Sequence, residues 1–210
     1  MTLKLYHYWR SSASWRVRWA FALKGISYES IPIDLLKGEQ KSEAHLKRNP
    51  NGSVPVLEII EKGKSKFLSE SIAIMEWAEE LFPKPSLLSG DAFLRGRVRQ
   101  LSELINADVH PVQNLRVRQL VSEDEEKRKD WSRHWIRRGF NAYENVVKET
   151  AGKFSVGDQV TMADLCLIPQ CYNAKRFDIA LKEFPFVARI YDAAMETEAC
   201  KASAPEKSQP

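Results

Sequence analysis

Cysteine is scarce in this 210-residue chain, and the three present, Cys166, Cys171 and Cys200, all lie late in it. So sparse and odd a set does not make a disulfide framework, and it reads as the usage of a reducing compartment. Histidine is equally thin. His7, His45, His110 and His134 show no ligand spacing with one another or with the cysteines, so no metal is expected. No window approaches the roughly 18 uninterrupted apolar residues that a membrane helix needs, because charges recur throughout. No basic, apolar and small-residue leader pattern precedes the strand-like residues 3–8, so a cytoplasmic location is expected. Basic residues outnumber acidic ones 32 to 28, giving a net charge of +4, but they are scattered and no nucleic-acid-binding pattern accompanies them.

What is present can build a core. Hydrophobic residues make up 43% and charged residues 29%, and the length permits one large domain or two small ones. The pattern decides for two. The first eighty or so residues read as strand, helix, strand, helix, strand, strand, helix, which is an α/β module. Residues 3–8 form the first strand. Ser11, Ser12 and Ser14 offer capping hydroxyls to a helix carrying Trp15, Val17, Ala20, Phe21 and Leu23, with Ser12 expected as the cap or as a second hydrogen-bond donor and Gly25 as the stop. Residues 28–33 and 54–60 read as strands, the latter with Pro55 inside it, and residues 66–68 as a short partner. Ser69, Glu70 and Ser71 open another helix. Pro83, Pro85 and Gly90 mark a composition shift, so the chain divides into residues 1–83, a linker over 84–90 and an all-helical domain over 91–210. In the latter, helices are expected over 91–121, 123–151, 161–176 and 184–196, with a loosely ordered or surface-draped tail from residue 202. Thr161 and Asp164 form a capping box, a marker of fold with no chemistry of its own.

The segment Arg10-Ser11-Ser12-Ala13-Ser14-Trp15-Arg16-Val17-Arg18 is similar to the signature of zeta-class glutathione transferases, in which Ser-Ser-Cys is followed by x-Trp-Arg-Val-Arg. Only the cysteine is missing. The likeness continues through Asn49-Pro50, Val54-Pro55, Glu70-Ser71-Ile72-Ala73-Ile74, Pro111-Val112-Gln113-Asn114-Leu115, Gly139-Phe140, Val156-Gly157-Asp158 and Thr161-Met162-Ala163-Asp164, about 200 residues in order.

This resemblance implies a thioredoxin-like N-terminal domain joined to an all-helical C-terminal domain, assembled as a homodimer, with glutathione as cofactor. The activity it implies is cis–trans isomerisation of maleylacetoacetate to fumarylacetoacetate in phenylalanine and tyrosine breakdown. A broader transferase acting on haloacids or other electrophiles is the alternative, and a non-catalytic interaction protein of the same fold is a further one. Ser11 and Ser12 are the implied catalytic residues, Ser11 stabilising a thiolate. Glutathione binding falls to these two with Gln40, Val54, Pro55, Glu70, Ser71, His110 and Asn114. The Val54-Pro55 bond is expected to be cis, leaving the Val54 backbone to pair with the cysteinyl part of the ligand. Arg10, Arg116 and Arg176 are the expected cations for a dicarboxylate substrate, since the planar guanidinium suits carboxylates. A dithiol oxidoreductase is excluded, because positions 10–16 contain no cysteine.

Overall fold

The computed structural model describes residues 1–209 and divides into two compact units. The first holds Met1–Ser86 together with the segment from Glu198 onward, and the second holds Leu87–Thr197.

In the first unit, strands β1 (Thr2–His7), β2 (Glu29–Pro32), β3 (Val56–Glu61) and β4 (Lys64–Ser69) form one sheet in the order β2-β1-β3-β4. Between β1 and β2 runs helix α1 (Ser12–Lys24), and helix α2 (Glu43–Arg48) lies between β2 and β3. Helix α3 (Ser71–Leu81) follows β4. The β1–β2 pairing is parallel, while β1–β3 and β3–β4 are antiparallel. Pro55 stands just ahead of β3 and not within it, as a residue with no backbone donor should. Gly25 adopts φ 64° and caps α1 as expected, with its own N–H and that of Ile26 returning to the last turn.

Helix α1 is buried on every side from Ser14 to Phe21, so it needs a cover besides the sheet. Part of that cover is the C-terminal segment. Helix α9 (Glu198–Ser203) packs on α1, with Cys200, Ser203, Ala204 and Pro205 buried. The Trp15 indole donates to Ser203 Oγ at 3.1 Å, and Arg18 Nε donates to Ser203 O at 3.1 Å. Of the two expectations for the tail, the packing favours the surface-draped one over the loosely ordered one, and it corrects the placing of this segment with the helical domain. The tail has no repeating apolar face, yet its few small residues fit a surface that α1 cannot leave exposed.

The second unit contains α4 (Ala92–Asn106), α5 (Leu115–Val121), α6 (Glu125–Val147), α7 (Met162–Lys175) and α8 (Pro185–Met195). The helix expected over residues 91–121 is interrupted by turns over residues 107–114, where Asn114 caps α5 through its side chain. The capping box at α7 forms. Asp164 accepts from the Thr161 N–H (2.8 Å) and hydroxyl (3.0 Å) and from the Ser155 N–H (2.8 Å) and hydroxyl (2.6 Å). Burial pushes this carboxyl above its ordinary range, and the four donors act against that rise.

Gly139 lies within α6 facing Val109, and a Cβ added there would come 2.0 Å from Val109 Cγ2. In an open helix Gly→Ala stabilises by roughly 1 kcal/mol, but here the overlap reverses the sign. Gly139→Ala is expected to destabilise by about 2 kcal/mol. Adding Val109→Ala should recover part of that loss, as read by urea midpoints of the single and double variants.

Candidate active site

The register of the sheet sets where the site forms. Tyr6 lies opposite Val56, and Val56 opposite Ser69, so the loop leaving β1, the loop entering β3 and the loop leaving β4 emerge at one end of the sheet. Because β2 runs parallel to β1 with His7 opposite Pro32, the loop after β2 leaves there too. Ser11, Val54, Glu70, Ser71 and Gln40 therefore converge from four segments far apart in sequence.

Ser11 caps α1. Its Oγ accepts from the Ser14 N–H at 3.2 Å, and Ser12 is the first helical residue, so of the two roles expected for Ser12 that of cap is corrected. The reason is the backbone. Ser11 is extended, at φ −70° and ψ 123°, as a cap requires, whereas Ser12 is already helical. Since the Ser11 oxygen accepts, its own proton remains available to a ligand. The buried Ser14 hydroxyl accepts from the Tyr8 N–H at 3.4 Å, tying helix and loop together. Ala13 lies half-buried in the first turn.

Val54-Pro55 is cis, as expected. Val54 itself is half-buried, packs beside Tyr6, Ile33 and Val56, and lies outside the strand pairing, which begins at Val56. Gln40 stands on a 3₁₀ turn (Glu39–Lys41), and its Oε1 is buried without a hydrogen-bond partner. Ser71 opens α3, buried, with its hydroxyl accepting from Arg16 Nη1 at 3.2 Å. Glu70 is exposed at φ 71° and ψ 120°, a sparsely populated conformation for a non-glycine residue and one that functional sites retain at a cost of about 1–3 kcal/mol. An orphaned amide oxygen, an unpaired stretch of backbone, two helix N-termini and two hydroxyls with free protons suit a peptide-like ligand carrying a thiol and a carboxylate.

The loop before Ser11 is held from behind. Arg18 is 2% exposed and donates to Trp9 O at 2.9 Å and Tyr8 O at 3.5 Å, with Nη1 3.3 Å from His7 Nδ1. A guanidinium only donates, so His7 Nδ1 accepts and its Nε2 carries the proton toward Ser30 Oγ, 2.7 Å away. Arg10 stacks over Trp9 at 5.3 Å and lines a cleft of about 190 Å³ with His7, Tyr8, Ile33, Asp34 and Leu36. Ser11 does not line that cleft.

The remaining candidates belong to the second unit. His110 sits in the turns after α4 with its N–H bonded to Ile105 O, and Asn114 spends its Oδ1 on the Arg116 N–H at 3.3 Å. Arg116 is exposed on α5. Arg176, exposed at the C-terminal end of α7, donates to Asn173 Oδ1 at 3.3 Å. Asn173 in turn donates to Gln113, and Gln113 to Gln170 Oε1 at 3.2 Å, so a chain of amides running into the core at Gln113 and Gln170 supports Arg176. Sequence reasoning passed over Arg16, Arg18, Gln113 and Asn173. The two arginines stood in the signature, but nothing in their spacing marks burial.

Residues 1–80 match the family model of the glutathione S-transferase N-terminal domain, and residues 109–202 that of the C-terminal domain. A maleylacetoacetate isomerase of Rattus norvegicus is 45% identical over 203 residues, covering 96% of this chain and 91% of its own. A solved zeta-class relative, a bacterial maleylpyruvate isomerase, is 38% identical with a TM-score of 0.91, covering 99% of this chain and 98% of its own. The chain belongs to the zeta class of the glutathione S-transferase family. Another solved structure, the maleylacetoacetate isomerase of Anaeromyxobacter dehalogenans 2CP-1 with bound glutathione, is 45% identical with a TM-score of 0.92, covering 100% of this chain and 97% of its own. The same protein has been solved with dicarboxyethyl glutathione and citrate, at 44% identity and a TM-score of 0.91, covering 100% of this chain and 96% of its own.

Within this zeta-class chain, His7 gives the supporting layer a pH dependence. Burial and then the Arg18 charge lower its pKa from 6.5 to about 4. A depressed folded-state pKa contributes stability that is fully present above about 6.5 and is lost as pH falls toward about 4. Between pH 7 and 4.5 the wild type should lose about 2 kcal/mol more than His7→Gln, whose amide makes the same two contacts without titrating. Urea denaturation at both pH values measures this, and equal losses would count against it.

Proposed function

We propose that this enzyme catalyses glutathione-dependent cis–trans isomerisation of maleylacetoacetate to fumarylacetoacetate, a step of phenylalanine and tyrosine breakdown. The observation that carries the reading is Ser11 at the start of α1, whose oxygen accepts from the Ser14 N–H so that its own proton is not spent on that bond. The near full-length similarity to maleylacetoacetate isomerases supports it. When bound, glutathione supplies a sulfur nucleophile that adds to the cis double bond and leaves again, so it is regenerated.

The chain's own residues do the rest. Ser11 donates to the sulfur, and the N-terminus of α1 adds a positive field. A hydrogen bond to a charged acceptor contributes about 1.5–3 kcal/mol and the helix end about 0.3–1 kcal/mol. An ordinary thiol pKa is near 8.5, so together these hold a thiolate at neutral pH. Ser12 adds a second hydroxyl in the first turn. Val54 offers its backbone to the cysteinyl part of glutathione across the cis Pro55 peptide, and Gln40 accepts a ligand N–H. Ser71 donates to the γ-glutamyl carboxylate while Glu70 holds the α-amino group. His110 and Asn114 complete glutathione binding. Arg10, Arg116 and Arg176 pair with substrate carboxylates, a role that the dicarboxyethyl glutathione and citrate of the Anaeromyxobacter relative supports. The protein works as a cytoplasmic homodimer, and light scattering should return about twice 24.1 kDa.

Ser11→Ala is expected to lower kcat/KM about 10- to 100-fold by removing one bond to the thiolate, with glutathione affinity largely kept. Ser11→Asp separates capping from catalysis, since a carboxylate caps α1 but cannot donate to a thiolate. It should fold as stably as wild type and be inactive. Unchanged turnover of either variant across pH 6–8 would remove Ser11 from the mechanism.

Ala13 stands where the family signature has cysteine, and this favours the broader transferase as the second reading. Because the reacting sulfur belongs to glutathione, wild type should isomerise maleylacetoacetate only when glutathione is present. Ala13→Cys should change the rate modestly and add an electrophile-labelled site. Isomerase activity found in Ala13→Cys alone would transfer the assignment to the transferase.

A further inference from the structure

We propose that Arg16 is a positioning residue for the γ-glutamyl carboxylate of glutathione, acting through the Ser71 hydroxyl. This deepens the reading of Ser71 given above and rests on it.

Arg16 lies on α1 with no exposed surface, and Ser71, the first residue of the eleven-residue α3, is 4% exposed. The Arg16 Nη1 to Ser71 Oγ bond of 3.2 Å joins the two helices. Its direction is fixed, because a guanidinium has five donors and no acceptor. The Ser71 oxygen therefore accepts, and its single proton is left for another partner. A hydroxyl that accepts from a cation is also a stronger donor. The first turn of α3 adds backbone N–H groups, since the first N–H to return to the helix is that of Ile74, at 3.0 Å from Glu70 O. An anion at this end meets the Ser71 proton, the first-turn N–H groups and, one bond behind them, a permanent charge shielded from solvent. Arg16 itself has no surface with which to touch the ligand.

The experiment compares two thiols, glutathione and an analogue in which the α-carboxylate of the γ-glutamyl group is replaced by hydrogen. Steady-state kinetics are measured on wild type, Arg16→Gln, Ser71→Ala and the double variant. Arg16→Gln should raise the KM for glutathione about tenfold, with the change in KM and not in kcat, and should alter the KM for the analogue less than twofold. In the Ser71→Ala background the same substitution should add less than twofold for either thiol. An equal loss on both thiols, or an undiminished tenfold effect without the Ser71 hydroxyl, would overturn the proposal and leave Arg16 a packing residue. If Ser71→Ala itself fails to distinguish the two thiols, the underlying assignment of Ser71 falls first. Should Arg16→Gln not fold, the guanidinium N–H resonances of Arg16 in the wild type give the answer. They should shift on adding glutathione and stay in place on adding the analogue, and an identical response to both would overturn the proposal.

Discussion

The Arg18 guanidinium is the group around which the first unit is arranged. It is a buried cation with no carboxylate beside it among the described residues, where its contacts are three backbone carbonyls and one imidazole nitrogen. Burial lowers its pKa to about 10, so it is still charged at neutral pH. Stranding such a charge would cost several kcal/mol, so every segment that solvates it is held in place. Those segments are the end of β1, the loop that delivers Ser11 and the end of α9. His7 is thereby forced to be neutral and a single tautomer, which passes the constraint on to Ser30 in β2.

A loop fixed in this way would be of no use if its neighbours pointed elsewhere. The mixed sheet prevents that. With β3 antiparallel to β1, the chain enters β3 at the end where it leaves β1, and after β4 it returns to the same end to start α3. Two helix N-termini, those of α1 and α3, thus open on one side with hydroxyls at Ser11 and Ser71. Their dipoles add at an anion placed there. The buried Lys24 fixes the far end of the same pair, ion-pairing with Glu79 at 2.7 Å and donating to Phe82 O and Pro85 O. The α1–α3 relation is therefore set at both ends.

How much of this was legible in the sequence follows from what each signal depends on. Strands, α1 and its Gly25 stop, α3 and the α7 capping box all depend on local periodicity and local hydrogen bonds, and they were readable. The break over residues 107–114 was not, because Val109 and Val112 continue the apolar spacing and only Pro111 interrupts it. The docking of α9 was invisible for a different reason: it answers to the all-round burial of α1, nearly two hundred residues away in the chain. The cap was placed one residue late, since Ser11 and Ser12 are chemically identical and only backbone dihedrals separate them. Arg16 and Arg18 carried the family signature, but arginine is so commonly exposed that their burial could be learned only from the fold.

Under the role proposed for Ser11, its capping bond bears on how the glutathione thiol would be activated. With its oxygen engaged by the Ser14 N–H, Ser11 is poorly placed to take a proton from sulfur, and an unassisted serine hydroxyl is no base near neutral pH. On the proposed reading, activation lies in stabilising the anion, through the Ser11 O–H, the first turn of α1 and the exclusion of competing negative charge. Position 13 matters for the last of these. It lies in that same first turn, where a cysteine would have its own pKa depressed by the helix end and would compete for the field as a second thiolate. Alanine leaves that field to one sulfur. A chain that entrusts its chemistry to a borrowed thiol gains from having no thiol of its own at the start of α1, and the three it does carry are buried elsewhere.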